Sequence, residues 1–596
     1  MEPAQGRGGM ELHASGDNWG NMRKAICAAL AALALFNAGC SRATTSQSAM
    51  DRDLLEITIP RLQALYGSHK YTVTEVVRWH FARIQRYNGI YRAVQTIDEA
   101  GALAAAARED ADARAAGNGF APSAMWGVPI VIKANTSVKG LVTTDGWSGY
   151  KVPGHELVAP KDATIVSRLR AAGAIILGQT NMPDFAASDT NRSTAYGRTG
   201  NAYDVRFSPG GSSGGTVTAV TSNYAILGTG TDTGNSIRMP SSTSSVVGVF
   251  PTPGLVSTGG IAPLDWLLDN TGPIARDVTD AAIALGVMEG EDPLDSRTLG
   301  SSAKAQAGPY TAYLKADALQ GKRFGVPVFI LDGAGIPFQG ISASTPPAEV
   351  KKQLEAARLA LSPETREAFL KALDGLRAAG AAVIFDDSIL PDRFAAVVAR
   401  IGTVPYIREG TEKFLAEFGP AQYHSAEDYR KAVGSQLPAR IIGGKDWRGL
   451  GMPDNVKPQP IPQVLFESDP QAGANVTIPR QEALGLYAET LDRLHLDGYV
   501  YPATQMPPPD ETMPQDGNLS EGPHSATGWV NMIGVPAVVV PGGFYSSGLP
   551  FGLEISTRPW KDGDLLGWAY AYEQATHHRR PPVLVEKGLL PAQGFR

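Results

Sequence analysis

From Thr72 onward apolar residues return every three or four positions, and Val73, Val76, Val77, Phe81, Ile84 and Tyr87 fall on one face of a helix. Thr72 with Glu75 three places on forms a capping box, which predicts where that helix begins. Ile97 to Ala116 is alanine-rich with interspersed charges and stops at Gly117, so a second helix is expected there. The period then shortens. Gly127-Val-Pro-Ile-Val-Ile-Lys133 is a short apolar run bounded by turn residues, the pattern of a buried strand that delivers a lysine at its carboxyl end. Asp162 is placed to cap a helix from Ala163 to Ala172, and Ala174-Ile-Ile-Leu177 follows as another strand. Such alternation predicts an α/β fold: a single large domain with a mixed, mostly parallel central sheet covered by helices on both faces.

Between about residues 300 and 500 the pattern is less regular, with proline-rich stretches near 336–347 and 453–463. Helical elaboration around a substrate cavity is expected there. Ser362 to Ala378 reads as a capped helix feeding a strand from Ala381 to Phe385. Alternation returns with strands at Gly498 to Pro502, Ala537 to Val540 and Gly552 to Ile555, then a helix from Asp562 to Thr576. No internal repeat of fixed period stands out.

Composition narrows the function. With 596 residues, 43% hydrophobic and 19% charged, the chain is too apolar to be disordered and too polar for a bundle of membrane spans. Lys and Arg total 53 against 59 Asp and Glu, a net charge of −6, and no basic blocks occur. That argues against a nucleic-acid partner and for a small-molecule ligand. The two cysteines, Cys27 and Cys40, both precede the body of the chain, so no disulfide is expected in it. His577 and His578 lack neighbours at metal-ligand spacing and, with Arg579 and Arg580, read as a helix end; no metal and no cofactor are expected.

The amino terminus reads as an address. Met22, Arg23 and Lys24 precede the apolar run Ala25 to Phe36, then Asn37, Ala38, Gly39 and Cys40. Positive residues, a greasy stretch too short for a bilayer of ~30 Å, and small residues before a cleavage point describe an export signal. Cys40 after Ala-Gly resembles a bacterial lipoprotein processing site, with Asn37 where that pattern prefers Leu. The expected organisation is an upstream extension and signal peptide at 1–39, a linker at 40–70 and the folded domain at 71–590. An exported protein follows, periplasmic or held at the inner or outer membrane of a bacterium through lipid on Cys40.

Two glycine-dense loops carry the candidate chemistry: Ser208-Pro-Gly-Gly-Ser-Ser-Gly-Gly215, and Gly228-Thr-Gly-Thr-Asp-Thr-Gly-Asn-Ser-Ile-Arg238. Glycine is costly in chain entropy, so its density implies backbone conformations or approaches that a side chain would forbid. The N–H groups of Thr233, Gly234, Asn235 and Ser236 are placed to meet a developing oxyanion. A serine hydroxyl needs a base, and neither loop holds a histidine. Lys133, at the end of a buried strand, is a plausible substitute, since desolvation favours the neutral amine. Alone, a strand-end lysine is usually solvated or ion-paired, and a Gly/Ser loop is usually a turn or an anion cradle.

Gly210-Gly-Ser-Ser-Gly-Gly215, Gly230-Thr-Asp-Thr-Gly-Asn-Ser-Ile-Arg238 and the strand ending at Lys133 together resemble the amidase signature family. The resemblance runs from about Thr72 to Pro582 and takes in Gly178-Gln-Thr-Asn-Met182, Asp269-Asn-Thr-Gly-Pro273 and Gly534-Val-Pro-Ala-Val-Val-Val-Pro541. It implies a Ser-cisSer-Lys triad that cleaves an amide with water: Ser236 as nucleophile, Ser212 as bridging serine after a cis peptide bond, Lys133 as base. It also implies support from Ser213 and a charge pair of Asp232 and Arg238 that holds the turn. Asn235 departs from the glycine that many members carry, and its side chain would narrow the hole or add a donor. Trp266, Leu267, Tyr406 and Trp529 are candidate pocket residues, against the alternative of ordinary core packing. The substrate would be a small carboxylic amide, and the candidates are peptide C-terminal, fatty-acyl and aryl amides, with carbamates or esters reacting promiscuously.

Other readings leave parts of the chain unexplained. Gly210-Gly-Ser-Ser-Gly214 also fits the nucleophile elbow of α/β-hydrolase esterases, with Ser212 attacking and His424, His524 or His577 as base, but Lys133 and the second loop then have no role. Gly228-Thr-Gly230 with Gly234 lacks the partners of a nucleotide site. Ser301-Ser-Ala-Lys304 is a lone S-x-x-K match. A non-catalytic exported binding protein would have no need of all three triad positions. A transamidase component would be separated from tRNA by export.

Overall fold

In a computed structural model the chain is described at residues 49–117, 120–332, 345–356, 358, 360–447, 459–512 and 523–582. The stretch read as an export signal, Cys27, Cys40 and most of both proline-rich stretches lie outside the described residues. The chain divides into two units, residues 1–55 and 56–596. In the first, residues 49–54 are helical and Leu55 N donates to Asp51 O at 3.1 Å. The second carries the sheet and the candidate chemistry.

Eleven strands form one mixed sheet. They are β1 (Val94–Ile97), β2 (Val128–Lys133), β3 (Ala174–Thr180), β4 (Leu227–Asp232), β5 (Val247–Phe250), β6 (Asn270–Ala275), β7 (Arg323–Val326), β8 (Ala382–Phe385), β9 (Gly498–Pro502), β10 (Ala537–Phe544) and β11 (Pro550–Ser556). Their order in space is β1-β3-β2-β4-β6-β5-β10-β11-β9-β7-β8. Parallel pairs occupy the two flanks, β3-β2-β4 and β9-β7-β8, and antiparallel pairs join them through the middle. This is the large single α/β domain that the alternation implies. A core rich in aromatic rings fills the space beside β9 and β10, with Trp529, Tyr487, Tyr499, Tyr501, Phe329 and Phe394 in one cluster.

The register places the site. β2 and β4 run parallel, with Ile130 opposite Leu227 and Val131 opposite Gly228, so both deliver their carboxyl ends to the same edge of the sheet. Crevices at the carboxyl ends of parallel strands are where open α/β sheets build ligand sites. Lys133 ends β2, and the loop after Asp232 ends β4.

Helix ends follow their caps. α1 (Ile59–Gly67) lies in the stretch read as a linker; it is instead part of the fold, with Ile59 N bonded to Asp280 Oδ1 at 2.8 Å and Tyr66 Oη donating to Gly127 O at 2.9 Å. α2 (Val73–Tyr91) starts at the Thr72–Glu75 capping box, with both reciprocal bonds present. α3 (Glu99–Ala116) begins later than expected, because Asp98 caps it and Ile97 pairs with Gly178 as the end of β1. α4 (Thr164–Ala171) is not capped by Asp162, whose carboxylate accepts from Lys139 N at 2.7 Å and pairs with Arg170 at 3.0 Å. α5 (Gly214–Thr221) follows the first glycine loop and α6 (Arg238–Ser242) the second. α7 (Pro363–Ala378) is capped by Ser362 and precedes β8, as its sequence suggests. α8 (Asp562–Thr576) ends at His577 in the left-handed conformation. Arg579 does not stay at that helix end; it forms an ion pair with Glu56 at 2.7 Å.

Candidate active site

Lys133 is wholly buried, and its amine meets oxygens only: Ser212 Oγ at 2.7 Å, Thr231 Oγ1 at 2.8 Å, Ser213 Oγ at 3.0 Å and Thr231 O at 3.3 Å. Among the described residues no carboxylate touches it. Burial pushes its pKa down to about 7, while the more distant charges of Asp145, Asp232 and Asp269 pull the other way. A primary amine that is half neutral near pH 7 can accept a proton from a hydroxyl.

Ser212 reaches Lys133 through a sharply folded loop. The Gly211–Ser212 peptide bond is cis. Gly210 has φ +75°, a conformation that favours glycine, and a Cβ on Gly211 would lie 2.3 Å from Thr190 O and 2.5 Å from Ser188 O. α5 begins immediately afterwards, so Ser212 and Ser213 lie at the junction of loop and helix. Ser213 also donates to Thr231 O at 3.3 Å.

Ser236 enters this cluster through its main chain, its carbonyl accepting from Ser213 N at 3.2 Å. Its hydroxyl is not hydrogen bonded to that of Ser212 in this structure. Ser236 is 6% exposed, in contrast to the fully enclosed Ser212 and Lys133. The N–H groups of Thr233, Gly234, Asn235 and Ser236 donate to no acceptor among the described residues, a run of four unused donors beside the candidate nucleophile. Buried N–H groups are rarely left unpaired, so such a run marks a place for an acceptor. Asn235 has no positive φ, so the loop conformation does not demand glycine there. Its carboxamide is turned aside to Asp189 Oδ1 at 3.2 Å, and Asp189 Oδ2 lies 3.4 Å from His524 Nδ1.

Asp232 and Arg238 form the expected pair, at 3.1 Å and fully buried. Asp232 Oδ2 also accepts from Ile237 N at 2.9 Å, closing the turn that carries Ser236. Burial raises Asp232, but Arg238 and these donors bring it below the usual carboxylate range. Arg238 further donates to Gly234 O at 2.8 Å, Asn531 Oδ1 at 2.5 Å, Thr527 Oγ1 at 2.8 Å and Glu554 Oε1 at 2.7 Å. Burial pushes the Glu554 carboxyl up to about 7 despite the guanidinium beside it. Sequence reasoning does not reach Thr231, Asn531, Thr527 or Glu554. Glu554 alone leaves a trace: it is the single charge in the apolar run of β11, and a buried carboxylate requires a partner.

The pocket residues fare differently. Tyr406 and Trp529 are 0% exposed and belong to the aromatic core, so neither faces space open to a substrate. That corrects their placement in the pocket: large rings near a cavity are claimed first by the core. Trp266 and Leu267 are partly exposed; the Trp266 indole donates to Tyr406 O at 3.0 Å and lies under Lys413 Nζ, 4.7 Å from the ring centre. The elbow alternative finds no support either. Lys133 meets Ser212, while His424 is exposed, His577 ends α8 and His524 faces Asp189.

Residues 75–345 match the family model described as Amidase. The chain is 30% identical over 543 residues to a subunit of the glutamyl-tRNA(Gln) amidotransferase of Koribacter versatilis, covering 88% of this chain and 99% of that one. The chain belongs to the amidase signature family. Another relative, the corresponding subunit of the same amidotransferase from Moorella thermoacetica, is 32% identical over 559 residues, with 89% and 99% coverage. Among solved structures, the native peptide amidase of Stenotrophomonas maltophilia superposes with a TM-score of 0.66 at 27% identity, covering 88% of this chain and 98% of that one. A bacterial aryl acylamidase of the amidase signature family shares the fold, with a TM-score of 0.64 at 22% identity over 87% of this chain and 96% of the other. As an amidase this protein is an amide-cleaving hydrolase.

Proposed function

We propose that the protein hydrolyses a small carboxylic amide through an acyl-enzyme on Ser236. Ser236 Oγ attacks the amide carbon, its proton passes to Ser212 Oγ, and the Ser212 proton passes to neutral Lys133. The carbonyl oxygen, now negative, is received by the N–H groups of Thr233, Gly234, Asn235 and Ser236; one such donor contributes about 2.7–4 kcal/mol in well-studied hydrolases. As the C–N bond breaks, the lysine ammonium returns the proton through Ser212 to the leaving nitrogen, releasing ammonia or an amine. Water enters by the same relay and releases the acid. Asp232 and Arg238 hold the loop, and Ser213 and Thr231 keep the lysine amine in place. The observation that carries this reading is the Lys133 amine, buried without a carboxylate and 2.7 Å from Ser212 Oγ. The relay requires the Ser236 hydroxyl to turn towards Ser212 once substrate is bound.

A panel of primary amides, anilides and esters, assayed with purified protein, tests it. Ser236→Ala loses about three orders of magnitude or more on every substrate that the native protein cleaves. Substantial turnover by Ser236→Ala, with loss only in Ser212→Ala, would restore the elbow reading.

We further propose that the chain is exported and lipidated on Cys40. Intact-mass analysis of the mature protein tests this; a chain still beginning at residue 1 would refute it. The full-length match to amidotransferase subunits favours a second reading, in which a partner receives the ammonia. Turnover of simple amides by the isolated chain, with no partner added, argues for the hydrolase.

A further inference from the structure

The reaction above leaves the motif Asp269-Asn-Thr-Gly-Pro273 without a role. β6 runs antiparallel to β4 with Asn270 opposite Asp232, so Asp269, one residue before β6, comes beside the first residue after β4. Its carboxylate is fully engaged. Oδ1 accepts from Thr233 Oγ1 at 2.5 Å, and Oδ2 accepts from Leu264 N at 2.9 Å and Asp265 N at 3.1 Å. Both side chains are buried, Asp269 at 7% exposure and Thr233 at 4%. A short hydroxyl bond to an ionised acceptor is among the stronger kinds. Thr233 supplies the first of the four unused N–H groups, so one carboxylate fastens the nucleophile loop to the 264–265 segment.

From this geometry we propose that Asp269 is a positioning residue of the reaction: when ionised it holds Thr233, and with it the oxyanion donors, in working orientation, and when protonated it holds them less firmly. The proposal rests on the Ser236 acyl-enzyme. Because Oδ2 is occupied by two N–H donors, a proton on Asp269 goes to Oδ1, the atom to which Thr233 donates. The carboxyl O–H then donates to Thr233 Oγ1, whose own hydrogen rotates away, and the short bond to an ionised acceptor is replaced by a weaker neutral one. Burial and the neighbouring Asp265 carboxylate raise Asp269 to about 7, against the Thr233 bond, the Asp265 N–H and the Arg297 guanidinium. The other charges in its field are Lys133 and Asp145. Full activity therefore requires that both Asp269 and Lys133 lose a proton, and activity falls on the acid side for two reasons at once.

The test is the pH dependence of kcat/KM on an amide that the native protein cleaves, with labelling by a fluorophosphonate to count intact Ser236. In the native protein the acid limb steepens from a slope of one towards two below about pH 7. Asp269→Asn loses about tenfold or more in kcat at pH 8, with KM changed less than about threefold. Its limb keeps a slope of one and moves to lower pH, because the charge that raised Lys133 is gone. Thr233→Val reproduces the kcat loss without touching the carboxylate, and Thr233→Ser recovers most of it; this pair decides the matter if Asp269→Asn does not fold. A native slope that never exceeds one, or native kcat in Asp269→Asn or Thr233→Val with labelling intact, overturns the inference alone. No labelling of the native protein, with Ser236→Ala still active, overturns the acyl-enzyme and the inference together.

Discussion

Arg238 shows how much a single side chain can organise. Its guanidinium is shared between Asp232, Glu554, Asn531, Thr527 and the Gly234 carbonyl, all buried, and through them it fixes the loop that presents Ser236. Removing one member of a buried charge cluster leaves the others unpaired in a medium that cannot solvate them. Arg238→Leu is therefore expected to destabilise the protein by about 3–5 kcal/mol, read from urea unfolding, and to abolish activity even where it folds. At this scale the sequence is legible wherever a function is written in contiguous residues. Lys133, Ser212, Ser236, Asp232 and Arg238 all belong to short motifs, and the structure brings them together apart from the Ser212 and Ser236 hydroxyls. Asn531 and Thr527 are not legible, and Glu554 shows only that it needs a partner and not which one, because what makes them part of the site is a contact across some 300 positions, and no spacing rule reaches that far.

Among the elements, beginnings are readable where a cap stands at the change of pattern, and misread where two roles compete for one side chain. Thr72 with Glu75 marks α2 without ambiguity. At α3 the alanine-rich run extends back to Ile97, but Ile97 is taken by β1 through its pairing with Gly178, and Asp98 caps the helix by accepting from Gly101 N at 3.0 Å. Asp98→Ala is expected to cost about 1 kcal/mol in thermal or urea unfolding, without affecting kcat. Asp162 has the sequence position of a cap of the same kind, yet Lys139 N and Arg170 claim its oxygens. Side chains that cap in one context form ion pairs in another, and only the fold decides which. Strands are readable where apolar runs stand between turn residues, as in β2 and β9, whereas β4 lies largely within the stretch read as a glycine-dense loop, because its glycines carry no strand signal.

Across the whole second unit, its first described residue is tied to one near the end of the described chain. Arg579, just after α8, holds Glu56, just before α1, through Nε to Oε2 at 2.7 Å and the second nitrogen to Oε1 at 3.0 Å, and Asn223 Nδ2 adds a third bond at 2.8 Å. Burial raises the Glu56 carboxyl, but Arg579 and Arg276 overcome it and bring it down to about 2. A folded-state pKa below the unfolded one means stability that is present above about pH 4.5 and lost as pH falls towards 2. Glu56→Gln is expected to lower stability at pH 7 by roughly 2 kcal/mol, less than the full shift because the side chain keeps some contact with water, and the difference should vanish near pH 2 in a urea series. The linker expected at 40–70 hides this clasp, since its short helix carries no strong pattern of its own.

The long reach of Arg238 also sets a clock. A ribosome releases the serine loop early, whereas Asn531 and Glu554 emerge 293 and 316 positions after Arg238. Until then the guanidinium has only its near neighbours Asp232 and the Gly234 carbonyl, and the loop lacks its anchor to the last third of the chain. The seating of the serine loop is thus a late event of synthesis, since it waits on residues made near the end of the chain.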